Sequence, residues 1–187
     1  MMKLLKNRKI AILITIIVVI LATLFGISRS LNRLARDVEA LFYDGIYLEE
    51  TGQPQRSINH HLGNLEQTAL DASFVFAGNP GLSNESEALR LARRDLLDAR
   101  SISEKYVAYQ SLHQAFSVFF NKAETVDLSE RDKDSLAQFR STFTGATHAI
   151  QASEYNNRVR DFMGGSSIIA YLLKPFIFVT SPQAFGT

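Results

Sequence analysis

The chain has 187 residues, a formal net charge of +1, no Cys, no Trp and only four Pro. This length allows one domain of ordinary size with a small appendage, and so few prolines among many apolar and charged residues favour helices. The absence of Cys excludes disulfides and Cys-based zinc sites, and the absence of a long basic run argues against a nucleic-acid partner.

The first predicted element is a membrane-spanning helix. A short basic N-terminus, residues 1–9, leads into the uncharged stretch IAILITIIVVILATLFGI, residues 10–27. At about 1.5 Å per residue this stretch is about 27 Å long, close to the roughly 30 Å hydrocarbon core of a bilayer. We therefore expect an anchor over residues 10–28 that contacts the lipid bilayer.

A cleaved signal peptide is the alternative to an anchor. The apolar run is longer than the usual core of a signal peptide, and no Ala-x-Ala cleavage site follows it, which favours the anchor. Four Lys or Arg residues precede the span, and Arg29, Arg33 and Arg36 follow it. The positive-inside rule then favours a cytoplasmic N-terminus and a main domain on the other side.

Four amphipathic segments follow in chain order, because apolar residues recur at every third or fourth position. Ser57 and Ser129 are the expected N-caps of the second and fourth segments, and serines near Ser101 can interrupt the third. The segment 78–81, Gly-Asn-Pro-Gly, is a strong stop signal. The four apolar stripes run over residues 31–42, 58–76, 89–119 and 136–162.

These segments predict an all-α protein. We expect an N-terminal single transmembrane helix followed by an antiparallel up-down four-helix bundle with long helices over residues 29–163. An apolar C-terminal tail, residues 164–187, is too short to form a second span and is interrupted at Lys174-Pro175. It is expected to pack on the end of the bundle, with the membrane interface as the alternative.

No catalytic, cofactor or metal site is predicted. His60 and His61 are neighbours on a helix, so their rings point about 100° apart, and His113 and His148 stand alone. The acidic turn 124–134 lacks the Gly and the oxygen spacing of a calcium-binding loop. Phosphate loops, nucleophile elbows and zinc-protease motifs are absent from the sequence. We therefore expect a protein that is not an enzyme.

The stretch EYNNRVRDFMGGSSIIAYLL, residues 154–173, resembles the closing segment of LemA-type proteins. The order of a basic N-terminus, one membrane helix and long helices is also similar. The chain is identified as a divergent member, because Ile58 is not followed by Pro and Phe162-Met163-Gly164 replaces a Phe-Pro. The matching positions are Tyr155, Asn156, Asn157, Val159, Phe162, Ile168, Ile169 and Ala170.

The resemblance implies a membrane-tethered antiparallel helical bundle, in a bacterial cell membrane, without recognised catalytic residues. The leading expectation is a single-pass interaction or scaffold module with a protein partner. The alternative is a membrane-tethered sensor whose bundle binds a small ligand between its helices and signals through a partner protein.

Overall fold

The computed structural model describes residues 8–48, 52–173 and 180–186, and describes their side chains except in residues 166–173. The described chain is mostly helical and divides into two compact units. The first unit comprises Met1–Glu39 and Arg158–Pro182, and the second comprises Ala40–Asn157 and Gln183–Thr187. The expected basic N-terminus lies, up to residue 7, outside the described residues.

The first unit contains most of helix α1, Arg8–Asp44, which is 37 residues long. Its most apolar 18-residue window has a mean hydropathy of 3.1 and is entirely unburied, and Phe25 is 70% exposed. The hydroxyls of Thr15 and Thr23 donate to the carbonyls of Ala11 and Val19 at 3.0 and 2.9 Å, so these polar groups are satisfied within the helix. This one described helix is long and apolar enough to cross a membrane, as the sequence predicts.

Helix α6, Tyr155–Leu173, continues through Gly164 and Gly165. Glycine in a helix costs roughly 1 kcal/mol relative to Ala but does not remove a backbone hydrogen bond, so two glycines need not end a helix. The predicted boundary at residue 163 is therefore not a helix end. The side chains of the apolar tail between residues 166 and 179, including the matching positions Ile168, Ile169 and Ala170, lie outside the described residues.

The second unit contains four further helices. Helix α2 packs against α3 and α5, and α3 packs against α4. Ser57 caps α2 by accepting from the His60 amide at 3.0 Å, and Ser129 caps α5 by accepting from the Asp132 amide at 3.2 Å. The bounds are α2, Ile58–Val75; α3, Ser83–Asp98; α4, Ile102–Ala123; and α5, Glu130–Gln151.

The third predicted segment is divided between α3 and α4. Ala99 has an extended backbone, and Ser101 begins a new helix with a full capping box: its hydroxyl accepts from the Glu104 amide at 3.1 Å. The Glu104 carboxylate accepts from the amides of Ser101 and Arg100 at 3.0 and 2.8 Å. The interruption expected near Ser101 is therefore a capped helix start, which satisfies amides that would otherwise be unpaired.

The fourth predicted segment is divided in the same way between α5 and α6. The break at Ala152–Glu154 is held by Gln55, whose side-chain amide donates to the Ala152 carbonyl at 3.1 Å and accepts from the Glu154 amide at 2.9 Å. One side chain thus satisfies the end of one helix and the approach to the next. Gln55 is distant in sequence, so the local pattern did not reveal the break.

A short hairpin was not predicted. Strands β1, Ile46–Leu48, and β2, Gln53–Gln55, pair antiparallel with Ile46 opposite Gln55. Gly45 precedes the hairpin at φ +88°, and a Cβ there would lie 2.5 Å from the Gln55 carbonyl oxygen, so the position requires glycine. Three-residue strands are too short to show an alternating pattern.

Aromatic rings fill much of the core of the second unit. Phe116 lies 4.6 Å from Phe143 and 5.5 Å from Phe120 between ring centroids, and Phe76 lies 5.4 Å from Phe119. These tilted, stacked and edge-on arrangements are the favourable geometries for aromatic pairs. The apolar stripes predicted on α2, α3 and α4 supply much of the core, through phenylalanine, leucine and alanine side chains.

We predict that Ser101→Ala destabilises the protein by about 1 kcal/mol, because the Glu104 amide loses its acceptor. Thermal unfolding followed by circular dichroism should show a fall in Tm of a few degrees. Ser117→Ala, at an exposed position within α4, is the matched control and should leave Tm unchanged or slightly raised. Equal Tm values for the two variants would contradict a capping role for Ser101.

Candidate functional site

The histidines noted in the sequence do not come together. His60 and His61 have ring centroids 5.5 Å apart in an edge-on arrangement, and His60 Nε2 lies 3.1 Å from Arg56 Nη1. His113 packs between aromatic rings, and His148 is exposed on α5. Among the described residues, no three His, Cys, Asp or Glu side chains form a group that could hold a metal ion.

Charged side chains in the acidic turn 124–134 and on α3 form ion pairs and helix caps. In the acidic turn, Glu124 pairs with Arg140 at 2.7 Å, while the Asp132 carboxylate accepts from the Ser129 hydroxyl at 2.8 Å. On α3, Arg93 reaches across to Glu66 of α2 at 2.8 Å, and both side chains are largely buried. These contacts fasten helix to helix or cap a helix, which are structural roles.

An open groove follows the junction of α3 and α4. Its polar lining includes Asp95, Asp98, Arg100 and Glu104, and Val107 contributes apolar surface. The backbone amides of Ser101 and Arg100 hold the pKa of the Glu104 carboxyl below its ordinary value, so this group is an anion committed to the capping box. The groove is open to solvent and has charged walls, so it is not an enclosed ligand cavity.

The most elaborate arrangement of side chains in the second unit surrounds the segment Gln183–Gly186. We call the residues that hold it, Phe42, Tyr106, Tyr109, Tyr155 and Asn156, the C-terminal clasp. Tyr155 and Asn156 are the first two residues of α6, directly after the turn that Gln55 holds. The helix break between α5 and α6 therefore sets the position of both side chains.

Asn156 binds the backbone of Phe185 at two points. Its Nδ2 donates to the Phe185 carbonyl at 2.6 Å, and its Oδ1 accepts from the Phe185 amide at 2.9 Å. The side-chain amide thereby pairs with one residue's main chain as a neighbouring strand would. Because both hydrogen bonds are made to the main chain, they do not depend on which side chain residue 185 carries.

Gln183, two residues earlier, is held at both its backbone and its side chain. The Tyr155 hydroxyl donates to the Gln183 carbonyl at 2.5 Å, and the Gln183 Oε1 accepts from the Ser103 amide at the start of α4 at 3.2 Å. Tyr155 is completely buried, so this hydrogen bond satisfies a hydroxyl that has little access to water.

The Phe185 ring occupies an aromatic pocket and is only 4% exposed. Its centroid lies 5.6 Å from Phe42, 5.2 Å from Tyr106 and 5.5 Å from Tyr109. Phe42 is 0% exposed and also meets Tyr155 at 5.6 Å. Burial raises the pKa of the Tyr109 hydroxyl above its ordinary value.

The sequence indicates some residues of the C-terminal clasp but not the segment that it holds. Tyr155 and Asn156 were noted through the LemA resemblance, and Phe42 and the α4 tyrosines were expected in apolar stripes. Gln183 and Phe185 fall within the tail 164–187, but neither is singled out, because one Phe among small and polar residues carries no periodic signal. The Pro-Gln-Ala-Phe-Gly order marks only a turn-like segment.

Comparison with known proteins finds no similar protein. The sequence matches no protein-family model, and the curated proteins and the solved structures compared with it likewise give no match.

We predict that Asn156→Ala destabilises the second unit by roughly 1–3 kcal/mol, because two hydrogen bonds to the backbone of Phe185 are lost. Hydrogen exchange should show a faster Phe185 amide, and thermal unfolding a lower Tm. Asn157→Ala is the matched control: this neighbouring side chain is exposed and donates to Glu154. Similar exchange at Phe185 in both variants would contradict the role of Asn156.

The environment of His61 predicts a dependence of stability on pH. Partial burial, together with the charges of His60 and Arg56, lowers the pKa of the His61 imidazole from its ordinary 6.5. The unfolded chain takes up the proton more readily than the folded chain does. The free energy of unfolding is therefore highest above about pH 6.5 and decreases as the pH falls through the folded-state pKa of His61.

The measurement is Tm against pH for the wild type and for His61→Gln. The variant should lose less stability on acidification from about pH 7.5 to about pH 5.5. His148→Gln, on the exposed side of α5, serves as the control and should follow the wild type. Parallel curves for the wild type and His61→Gln would show that His61 does not cause the acid sensitivity.

Proposed function

We propose that this protein is a single-pass membrane-anchored helical protein that acts as a non-enzymatic interaction or scaffold module at the membrane surface. The observation that carries the proposal is helix α1. This helix contains an apolar stretch that no other part of the described chain buries and that is apolar enough for a bilayer. The same helix then continues to Asp44. Anchoring restricts the attached domain to one surface and raises its effective concentration towards partners in that membrane.

The finer features of the proposal rest on the helices of the second unit. We propose that they form an antiparallel up-down bundle of the LemA type, which is supported by the packing of α2 on α3 and α5 and of α3 on α4. The orientation proposed, with a cytoplasmic N-terminus in a bacterial cell membrane, follows from the basic residues before the span and from the LemA resemblance.

The packing of the second unit supports a scaffold more than a ligand sensor. A sensor needs a cavity between its helices, but Phe116, Phe119 and Phe120 occupy the core beside α2 and α5. Apolar side chains are instead exposed outside the core. On α4, Val107 and Val118 are eleven positions apart, so they lie on one face, and they are 59% and 47% exposed.

We predict that the full chain stays in the membrane pellet after alkaline carbonate extraction. Replacing Val18 and Val19 by Lys should release much of it, because a Lys at the centre of a span costs about 2.5–3.5 kcal/mol for insertion. The matched control replaces Val107 and Val118 by Lys, which adds the same charges at exposed positions of α4. Equal extraction of both double variants would contradict the anchor.

The interaction role is tested by photo-crosslinking from exposed positions. A photoreactive residue at Val107 or Leu97 should give a discrete adduct in native membranes, whereas one at Phe116, which is completely buried, should not. Failure to obtain a discrete adduct from any exposed position of α3 or α4 would contradict the scaffold proposal.

A further inference from the structure

The C-terminal clasp has the properties of a peptide-binding site. Its ligand, the segment Gln183–Gly186, has no helix or strand of its own. The segment is held by main-chain hydrogen bonds at two alternate residues and by one aromatic side chain in a pocket. Main-chain bonds that give affinity, together with a pocket that gives specificity, are the features of peptide recognition along an extended strand.

We propose that the clasp binds the Gln183–Gly186 segment as a separable ligand and takes it from a second copy of this chain as well as from its own. This inference names a partner for the proposed scaffold and rests on that function. The chemistry recognised is a Phe flanked by two small residues, Ala184 and Gly186, with Gln two positions before the Phe.

Specificity for this chemistry follows from the geometry at each position. The Phe185 ring meets three aromatic rings, so an aliphatic or polar side chain loses these contacts. Gly186 has φ +122°, a conformation that other residues rarely adopt. Gln183 is selected by the Ser103 amide, which donates to its Oε1.

Exchange between copies is favoured because the contacts broken when the segment dissociates form again when a second segment binds. Its release breaks no helix or strand, and a second segment of the same sequence restores the hydrogen bonds described above and the contacts of the Phe185 ring. A tethered segment has an effective concentration on the order of millimolar, and anchoring in one membrane raises the concentration of a second copy's segment towards that range. Such an exchange is a domain swap.

Cysteine crosslinking in mixed populations tests the proposal, and the chain offers a clean background because it has no Cys. One full-length copy carries Ser103→Cys on the rim of the clasp, and a second carries Ala184→Cys in the segment. Neither substitution removes a side chain that makes a described clasp contact, since Ser103 contributes its backbone amide. The two copies are incorporated together into vesicles of zwitterionic phospholipid and treated with a short bis-maleimide crosslinker.

The expected result is a crosslinked heterodimer. Phe185→Ala in the donor copy should reduce its yield at least tenfold, because the ring that fills the pocket is lost. The same substitution in the acceptor copy should raise the yield several-fold, because the acceptor's own segment no longer competes. A chain with both cysteines is the control for binding within one copy. Should the Phe185→Ala acceptor unfold, the comparison between donors with and without Phe185 still decides the question.

Three results would overturn the proposal. If only the doubly substituted chain reacts, within itself, the segment is a fixed part of its own fold. Heterodimers that form equally from donors with and without the Phe185→Ala substitution would reflect crowding in the vesicle. If no crosslink forms in any sample, the segment does not occupy the clasp. None of these results bears on the adducts from Val107 and Leu97, which test the scaffold function separately.

Discussion

Unpaired backbone groups at helix ends are the constraint on which the second unit depends. Each break in a helix leaves amides and carbonyls without partners, and in a packed interior these must be satisfied. Side chains do this at Ser57, Ser101 and Ser129, and Gln55 does it from a distant hairpin. α3 is the exception, since it begins after Leu82 without a side-chain cap. The turn that Gln55 holds fixes where α6 begins, and with it the position of Tyr155 and Asn156.

The sequence predicted the features that depend on local pattern. An apolar run long enough for a bilayer specified α1, and spacing by three and four specified the faces that are buried on α2, α3 and α4. It also marked Ser101, but as a weakness in a helix and not as a capping box. Periodicity continues across a short break with little change of phase, so two long helices were expected where four shorter ones occur.

The features that were missed depend on contacts between distant residues. Gln55 acts on a turn 97 and 99 positions away, and its role cannot be inferred from its neighbours. Phe185 is isolated in a polar segment, yet its ring is as deeply buried as those of the periodic stripes. Tyr155 and Asn156 could be singled out by the LemA resemblance. Their role is visible only in the structure, where they bind the main chains of Gln183 and Phe185. Local propensity therefore reveals which segments are helical, and tertiary contacts decide how the candidate site is assembled.

The pairing of Phe42 with Phe185 also has a consequence for biosynthesis. Nearly the whole of the second unit separates these two rings in sequence, so during translation the pocket formed by Phe42, Tyr106 and Tyr109 is made long before its occupant. Until Phe185 has been added to the chain, these three rings cannot make their contacts with it. A nascent chain in that state is open to wrong pairings, and closing the pocket is a late folding step that brings together residues far apart in sequence.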